Sequence, residues 1–131
     1  MSKTLTKSGL TIPLLGLGTW DLDQKKCSRV VSEALDLGYR HIDAAAMYEN
    51  ESEVGTGIID SRVDREEVFL TTKINTTGWT PSGGDSPSLK NKNIIQAFEK
   101  SLFDLKTDYV DLLLIHWPKF ETNLGDILEI M

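Results

Sequence analysis

The fold is decided by one short stretch, Gly38-Tyr39-Arg40-His41-Ile42-Asp43. Gly38 is typical of the residue that follows the last turn of a helix, and the five residues after it are predicted to form a strand. The helix before it has four apolar side chains on one face: Val30, Val31, Ala34 and Leu35. An apolar strand is predicted before that helix, over residues 14–20. Strand, helix and strand in this order predict parallel pairing through a right-handed crossover.

The start of that helix and a hairpin before the first strand are predicted from polar and turn-forming residues. Either Asp21 or Asp23 can cap the helix, which is predicted to start near Gln24. Further upstream, short β-like pieces at Thr4–Thr6 and Leu10–Pro13 flank a turn-rich link. These two pieces predict a small N-terminal hairpin.

The next helix and strand follow the same pattern. The helix is predicted over 51–61 with Asn50 as its N-cap, and Glu53 stands at the spacing of a capping box. A third strand is predicted over residues 68–73. The stretch 75–88 has neither helical nor strand periodicity and is predicted to be a long loop.

A third helix is predicted over residues 90–105. It is marked by three apolar residues at fourfold spacing: Ile94, Phe98 and Leu102. A fourth strand is predicted over 109–116, and Thr122 or Asn123 opens one more helix. Residues 1–131 are therefore predicted to form a single α/β domain with four βα units.

Composition and charge narrow the class of protein. With 131 residues, 40% of them hydrophobic and 26% charged, the chain is long enough for one globular domain. A net charge of −6 without a cluster of basic residues argues against a nucleic-acid partner. The sequence has neither a signal-peptide pattern nor an apolar run near the roughly 20 residues that span a bilayer. We expect a cytoplasmic protein without a membrane partner.

The cysteine and histidine content argues against a metal site. Cys27 is the only cysteine, which excludes a disulfide within the chain and fits a reducing compartment. His41 and His116 are the only histidines and lack the paired spacing of zinc ligands. We therefore expect no metal.

Polar residues end three successive predicted strands, at Asp43, Lys73 and His116, and Tyr48 lies five residues past Asp43. Each has an ordinary explanation when taken alone. Asp43 can cap a turn, Lys73 can be a surface lysine, and His116 and Tyr48 can be packing residues. Because the carboxyl ends of parallel strands meet at one edge of a sheet, we expect the four side chains to converge.

Together these four residues predict a group that protonates a carbonyl oxygen. A phenol has a pKa of about 10 in water, so it donates a proton at neutral pH only where its anion is stabilised. We expect the Lys73 ammonium to stabilise that anion and Asp43 to keep the lysine charged. A neutral His116 would hold the substrate oxygen by a hydrogen bond.

Several motifs occur in order along the chain. They are Gly16-Leu17-Gly18-Thr19-Trp20, the run from Gly38 to Asp43 continuing through Tyr48-Glu49-Asn50-Glu51 to Val54-Gly55, Thr72-Lys73, and the run from Tyr109-Val110-Asp111 to His116-Trp117-Pro118. In these motifs the chain resembles the aldo-keto reductase family. The resemblance implies a (β/α)8 barrel and reduction of small aldehydes and ketones by NADPH, with NADH as the alternative cofactor.

The resemblance also implies a role for each site residue. The catalytic tetrad corresponds to Asp43, Tyr48, Lys73 and His116. The residues implied at the nicotinamide are Gly18, Thr19, Trp20 and Asp43. The residues implied along an apolar substrate pocket are Trp20, Tyr48, Trp79, His116 and Trp117. One departure is Ala44, where the family often has threonine.

Chain length sets this sequence apart from a complete barrel. Such a barrel needs about 250 residues, so 131 residues are predicted to hold its first half with a short N-terminal hairpin. Three explanations stay open: a truncated piece of a longer product, self-association through open barrel edges, or an open sheet without catalysis. A phosphate-binding protein is disfavoured, because Gly83-Gly84 is followed by Asp85 and not by Lys-Ser or Lys-Thr.

Overall fold

The first two strands form an antiparallel hairpin. The computed structural model describes residues 3–75 and 94–118 together with Gly125. Strands β1 (Thr4–Lys7) and β2 (Leu10–Pro13) are joined by Ser8 and Gly9, whose φ angles of 53° and 84° are both positive. Two such residues in succession fit the turn that matches the twist of a hairpin, and glycine adopts this conformation without strain. The predicted hairpin is confirmed.

A parallel sheet of four strands follows in the described part of the chain. Its strands, in spatial order, are β3 (Leu17–Gly18), β4 (His41–Asp43), β5 (Phe69–Asn75) and β6 (Leu112–His116). Each strand pairs in parallel with the next one along the chain. The predicted α/β class is confirmed.

In the described ranges, three α-helices connect successive strands of this sheet. They are α1 (Gln24–Asp36), α2 (Glu51–Asp60) and α3 (Ile94–Leu105). The Asp23 side chain accepts a hydrogen bond of 2.9 Å from the backbone N–H of Lys25, so Asp23, one of the two predicted candidates, caps α1. Gly38 has a φ of 102° just past the end of α1, in the conformation expected of a helix-ending glycine.

The helices cover one face of the sheet. Ile42 of β4 and Leu70 of β5 are fully buried there. The main core also contains residues of the three helices: Cys27, Val31, Leu35, Val54, Ile58 and Leu105. Full burial of one large aliphatic side chain stabilises a fold by about 1.5–3 kcal/mol, so this layer fixes the helices against the strands.

Two glycines bring α2 close to its neighbours. A Cβ atom at Gly57 would lie 2.5 Å from the carbonyl oxygen of Ser28 in α1. A Cβ atom at Gly55 would lie 2.5 Å from the carbonyl oxygen of Leu105 in α3. Both approaches involve backbone atoms that cannot swing aside, so the packing of α2 requires glycine at these two positions.

The first strand of the sheet is shorter than predicted. Only Leu17 and Gly18 pair with β4, although the apolar run starts at residue 14. Leu14 donates its backbone N–H to the carbonyl oxygen of Lys3 beside the hairpin, and the Leu15 side chain is exposed. The hairpin therefore draws the start of this run away from the sheet.

Boundaries of the other three strands also differ from the prediction. The predicted strands over 39–43 and 109–116 start later, at His41 and Leu112. Strand β5 continues to Asn75, which was predicted to belong to the loop. Trp79, the rest of the predicted loop, and the helix predicted from residue 122 or 123 lie outside the described residues.

The predicted capping box at the start of α2 is wrong. Asn50 is the N-cap residue, but its side chain makes no capping hydrogen bond within the described residues. Its Nδ2 atom instead donates to the carbonyl oxygens of Thr19 and Leu22, at 2.8 and 3.3 Å. The Asn50 side chain is therefore bonded to the loop between β3 and α1 and does not cap α2.

Two further properties concern only the described residues. No helix among them combines the length and apolar character needed to cross a bilayer. Within the same ranges, His, Cys, Asp and Glu side chains form no group of three that could hold a metal ion.

Candidate active site

Three predicted site residues share the face of the sheet opposite the helices. Side chains alternate between the two faces along a strand. Asp43 pairs with Thr71, and Lys73 stands two residues further along β5 on the same face. His116 pairs with Asn75, which lies two residues beyond Lys73. Asp43, Lys73 and His116 therefore lie on one face at the carboxyl ends of three adjacent strands.

The Lys73 ammonium is the centre of the site. Its Nζ atom lies 2.8 Å from Oδ1 of Asp43. It also donates to the hydroxyl oxygen of Tyr48 at 3.1 Å and to the carbonyl oxygen of Ala44 at 2.9 Å. An ammonium has three protons, and these three acceptors match that number. Because the Tyr48 oxygen accepts from Lys73, its own proton is available to another acceptor.

A tight turn presents Tyr48 to the lysine. Residues Ala46–Tyr48 form a single 3₁₀ turn, and the Met47 side chain anchors it in the interior. Glu49 follows with a φ of 56°, which reverses the chain before α2 begins. The Lys73 ammonium lies 4.8 Å from the centre of the Tyr48 ring, so it contacts the phenol through both the ring and the hydroxyl.

His116 lies beside Tyr48, and the centres of their rings are 5.5 Å apart in an edge-to-face arrangement. Burial lowers the pKa of the His116 imidazole below its ordinary value. The Lys73 ammonium lowers it further, and the Asp43 carboxylate acts in the opposite direction. These effects favour the neutral imidazole, which has one donor and one acceptor nitrogen.

Two tryptophans flank this pair of rings. Trp20 meets Tyr48 edge to face at 5.0 Å, and Trp117 meets His116 in the same way at 5.5 Å. Their exposed fractions are 50% and 61%. Both indoles therefore offer apolar surface beside the rings of Tyr48 and His116, and their role in a substrate pocket stays a prediction. Trp79 was predicted to line the same substrate pocket, and it lies outside the described residues.

The residues implied at the nicotinamide surround Asp43. Gly18 pairs with Asp43, and among the described residues no heavy atom comes within 4 Å of the position that its Cβ would take. The Asp43 side chain is 38% exposed. Thr19 is fully buried, and its hydroxyl donates to the Asp43 carbonyl oxygen at 3.3 Å. Gly18 and Asp43 therefore present open surface, whereas the Thr19 side chain does not.

Two contacts around the site were not predicted from the sequence. The Ala44 carbonyl oxygen binds Lys73, and a backbone acceptor leaves no mark in a side-chain pattern. The Glu51 carboxylate is 5% exposed and accepts a hydrogen bond of 2.5 Å from Oγ1 of Thr72. The one feature of the sequence that pointed to this hydrogen bond was the position of Thr72 within a buried strand.

The family model described as "Aldo/keto reductase family" matches residues 14–131, which include all the described site residues. The chain belongs to the aldo/keto reductase family. This confirms the resemblance that the sequence motifs indicated.

Several aldo/keto reductase relatives are similar over most of the chain. An aldehyde reductase of Saccharomyces cerevisiae is 48% identical over 111 residues, which are 85% of this chain and 32% of the yeast protein. A glycerol 2-dehydrogenase (NADP(+)) of the same yeast is 45% identical over 111 residues, with the same shares of 85% and 32%. A crystal structure of an aldo/keto reductase from Brucella melitensis superposes with a TM-score of 0.78 and 41% identity, covering 90% of this chain and 42% of that one.

The chain spans about a third of the length of both yeast relatives and 42% of the solved aldo/keto reductase chain. Its parallel sheet, with strands in the order of the sequence and helices on one face, corresponds to the first part of a (β/α)8 barrel. The predicted fold class, half of such a barrel with an N-terminal hairpin, is confirmed.

Proposed function

We propose that this chain supplies the proton-donating side of a site that reduces aldehydes and ketones to alcohols, with NADPH as the reductant. The proposal is carried by one observation. A single ammonium, Lys73 Nζ, contacts the Asp43 carboxylate at 2.8 Å and the Tyr48 hydroxyl at 3.1 Å. This arrangement stabilises a phenolate at the moment a proton leaves the phenol.

Tyr48 is the proposed proton donor. As negative charge develops on the carbonyl oxygen of the substrate, the phenol O–H bond breaks and the proton forms the O–H bond of the alcohol. The resulting phenolate faces the Lys73 ammonium, whose charge the Asp43 carboxylate stabilises in turn. The small exposed fraction of the lysine side chain, 13%, limits screening of both interactions by water.

His116 is the proposed second contact to the carbonyl oxygen. A neutral imidazole can donate one hydrogen bond without competing for the proton that Tyr48 transfers. A hydrogen bond aimed at an oxygen where charge develops is stronger in the transition state than in the ground state. The lowered pKa of His116 and its place beside Tyr48 support this role.

Gly18, Asp43 and Trp20 are proposed to hold the nicotinamide. When bound, it supplies a hydride to the carbonyl carbon. NADP(+) is named for one yeast relative, which supports NADPH over NADH. Trp20 and Trp117 would exclude water from one side of the small carbonyl substrate, and no metal is needed for this chemistry.

A cytoplasmic location is also proposed. Cys27 is fully buried, and burial raises the pKa of its thiol to about 11. A thiol of this kind is protonated and unreactive at neutral pH, and the chain has no second cysteine to pair with it. Both features suit a reducing compartment.

The experiment that tests the proposal is a titration of the purified 131-residue chain with NADPH. Binding is followed by cofactor fluorescence, and a simple aldehyde is then added to follow oxidation of the cofactor. We expect saturable binding followed by turnover, with weaker binding of NADH. Circular dichroism on the same sample reports whether the chain is folded, and a folded chain that binds neither cofactor would overturn the proposal for this chain.

A non-catalytic, self-associating module is the second candidate. It is favoured by the sheet edges, because β3 and β6 each pair on one side only within the described residues. Leu114 of β6 is also 38% exposed on the open face. Unpaired parallel edges favour association, and a second copy would cover this face. Sedimentation would show dimers for this candidate, whereas a monomer without binding of a hydrophobic dye would contradict it.

A further inference from the structure

On the helix-covered face of the sheet, Glu51 forms hydrogen bonds that link α2 to β5 and α3. Its carboxylate, in the first turn of α2, accepts the 2.5 Å hydrogen bond from Oγ1 of Thr72 in β5. A second hydrogen bond reaches it from Ser101 of α3. All three side chains are at most 5% exposed, so these bonds are made away from bulk water. A buried hydrogen bond to a carboxyl group fixes the distance between its partners firmly.

The partner of Glu51 is the residue next to Lys73. Because side chains alternate along β5, Thr72 points to the helices while Lys73 points to the site. Glu51 itself lies three residues after Tyr48. The hydrogen bond between Glu51 and Thr72 therefore joins the segment that carries the Tyr48 phenol to the strand that carries the Lys73 ammonium.

Asn50, the residue before Glu51, contacts the loop that carries Trp20. The two hydrogen bonds from its Nδ2 atom hold the carbonyl oxygens of Thr19 and Leu22, on either side of Trp20. Asn50 is 1% exposed, and its Oδ1 atom has no hydrogen-bond partner among the described residues. A buried oxygen without a hydrogen-bond partner is destabilising, so packing alone does not favour asparagine at this position.

We propose that Asn50 and Glu51 are positioning residues that hold the Tyr48 phenol between Trp20 and Lys73. Asn50 sets the distance from the phenol to the tryptophan, and Glu51, through Thr72, sets the distance to the ammonium. The two contacts are independent, because Asn50 reaches the loop between β3 and α1 and Glu51 reaches strand β5. The catalytic meaning of this arrangement rests on the proposed function, but the geometry does not.

The test is nuclear magnetic resonance on the full chain with labelled tyrosine, tryptophan and lysine side chains. In the unmodified chain we expect nuclear Overhauser contacts from the Tyr48 ring to both Trp20 and the Lys73 side chain. Asn50→Asp keeps the side-chain size but removes the donor, and it should lose the contacts to Trp20 alone. Glu51→Ala should lose the contacts to Lys73 alone.

Two further variants separate positioning from a general loss of structure. Thr72→Val removes the other end of the same hydrogen bond with little change in volume, and it should reproduce the effect of Glu51→Ala. Glu51→Gln retains an acceptor for the Thr72 hydroxyl, and it should restore the contacts to Lys73. Glu53→Ala, two residues further along the same helix, is the matched control and should change neither set of contacts.

The outcomes also separate this inference from the proposed function. If the chain reduces aldehydes, Asn50→Asp and Glu51→Ala should lower kcat by about 10- to 100-fold at nearly constant cofactor affinity, because small displacements of a proton donor are costly. Selective loss of contacts in a chain without reductase activity would support the positioning role and sink the proposed function. Unchanged contacts in both folded variants, or a joint loss in either of them, would overturn the positioning role.

Discussion

The Nζ atom of Lys73 lies 3.1 Å from the hydroxyl oxygen of Tyr48, although 25 residues separate the two in the chain. The lysine extends from the middle of a strand, and the tyrosine comes from a single 3₁₀ turn after the neighbouring strand. Their meeting depends on the parallel register in which Asp43 pairs with Thr71. The chemistry proposed for the site follows from this one distance.

Replacing Lys73 with methionine tests the ammonium directly. Lys73→Met keeps a long, flexible side chain but removes the charge that would stabilise the phenolate. We expect carbonyl reduction to fall by about 10²–10⁴-fold, the range typical of a lost acid–base contribution. Steady-state kinetics with a simple aldehyde measures this, and Lys25→Met, at an exposed position of α1, is the control. Turnover within a few-fold of the unmodified chain would remove Lys73 from the mechanism.

The titration of His116 gives a prediction about pH. Its folded-state pKa is lowered below the ordinary value of 6.5, chiefly by burial. The stability that the neutral imidazole contributes is therefore present above about pH 6.5 and is lost as the pH falls through the lowered folded-state pKa. Proton resonances of the two histidine rings, assigned with a His41→Gln variant, should show the His116 midpoint below 6.5. A midpoint at or above this value would contradict a neutral imidazole next to Lys73.

Glu51 predicts the opposite dependence of stability on pH. Burial raises its pKa above the ordinary value of 4.5, against the lowering effect of hydrogen bonds from Thr72 and Ser101. Its contribution to stability is therefore full below about pH 4.5 and is lost as the pH rises through the raised folded-state pKa. Relative to the unmodified chain, Glu51→Gln should gain stability between about pH 4 and pH 8. Urea unfolding at both pH values measures this, and a difference that is constant or falls with pH would refute the buried charge.

The packing of α2 against α1 predicts a cost for an added methyl group. Gly57→Ala places a Cβ atom 2.5 Å from the Ser28 carbonyl oxygen. We expect a loss of about 1–3 kcal/mol in the free energy of unfolding from overpacking, although alanine is favoured over glycine in a helix by about 1 kcal/mol. Ser52→Ala, at an exposed position of the same helix, should be nearly neutral. Equal stability of the two variants in urea would show that the helices are further apart than described.

The sequence predicted features that depend on neighbours along the chain. Asp23 as a helix cap, Gly38 as a helix end and the placement of Asp43, Lys73 and His116 at strand ends all follow from local pattern. These features require only periodicity and the conformational preferences of a few residues. For this reason most of the fold, and the positions of Asp43, Lys73 and His116 at the strand ends, could be predicted from the sequence.

Other features depend on contacts between distant segments. The apolar run over 14–20 looked like one strand, but the hairpin draws its first residues away from the sheet. Asn50 is the N-cap residue as predicted, but its side-chain amide does not cap the helix and is bonded instead to the Thr19 and Leu22 carbonyl oxygens, 31 and 28 residues away. The burial of Glu51 against Thr72 has the same origin, because a residue in the first turn of a helix is ordinarily expected to face solvent.

The central claim is that Tyr48 donates the proton to the carbonyl oxygen, and Tyr48→Phe tests it most directly. The measurement compares aldehyde turnover and NADPH affinity in this variant with those of Tyr39→Phe, a tyrosine outside the site. Loss of turnover by about 10²-fold or more with unchanged cofactor affinity in Tyr48→Phe, and no loss in Tyr39→Phe, is the predicted result. Retained turnover in a folded Tyr48→Phe chain would contradict the account, because the contact between Lys73 and Tyr48 would then have no part in the chemistry.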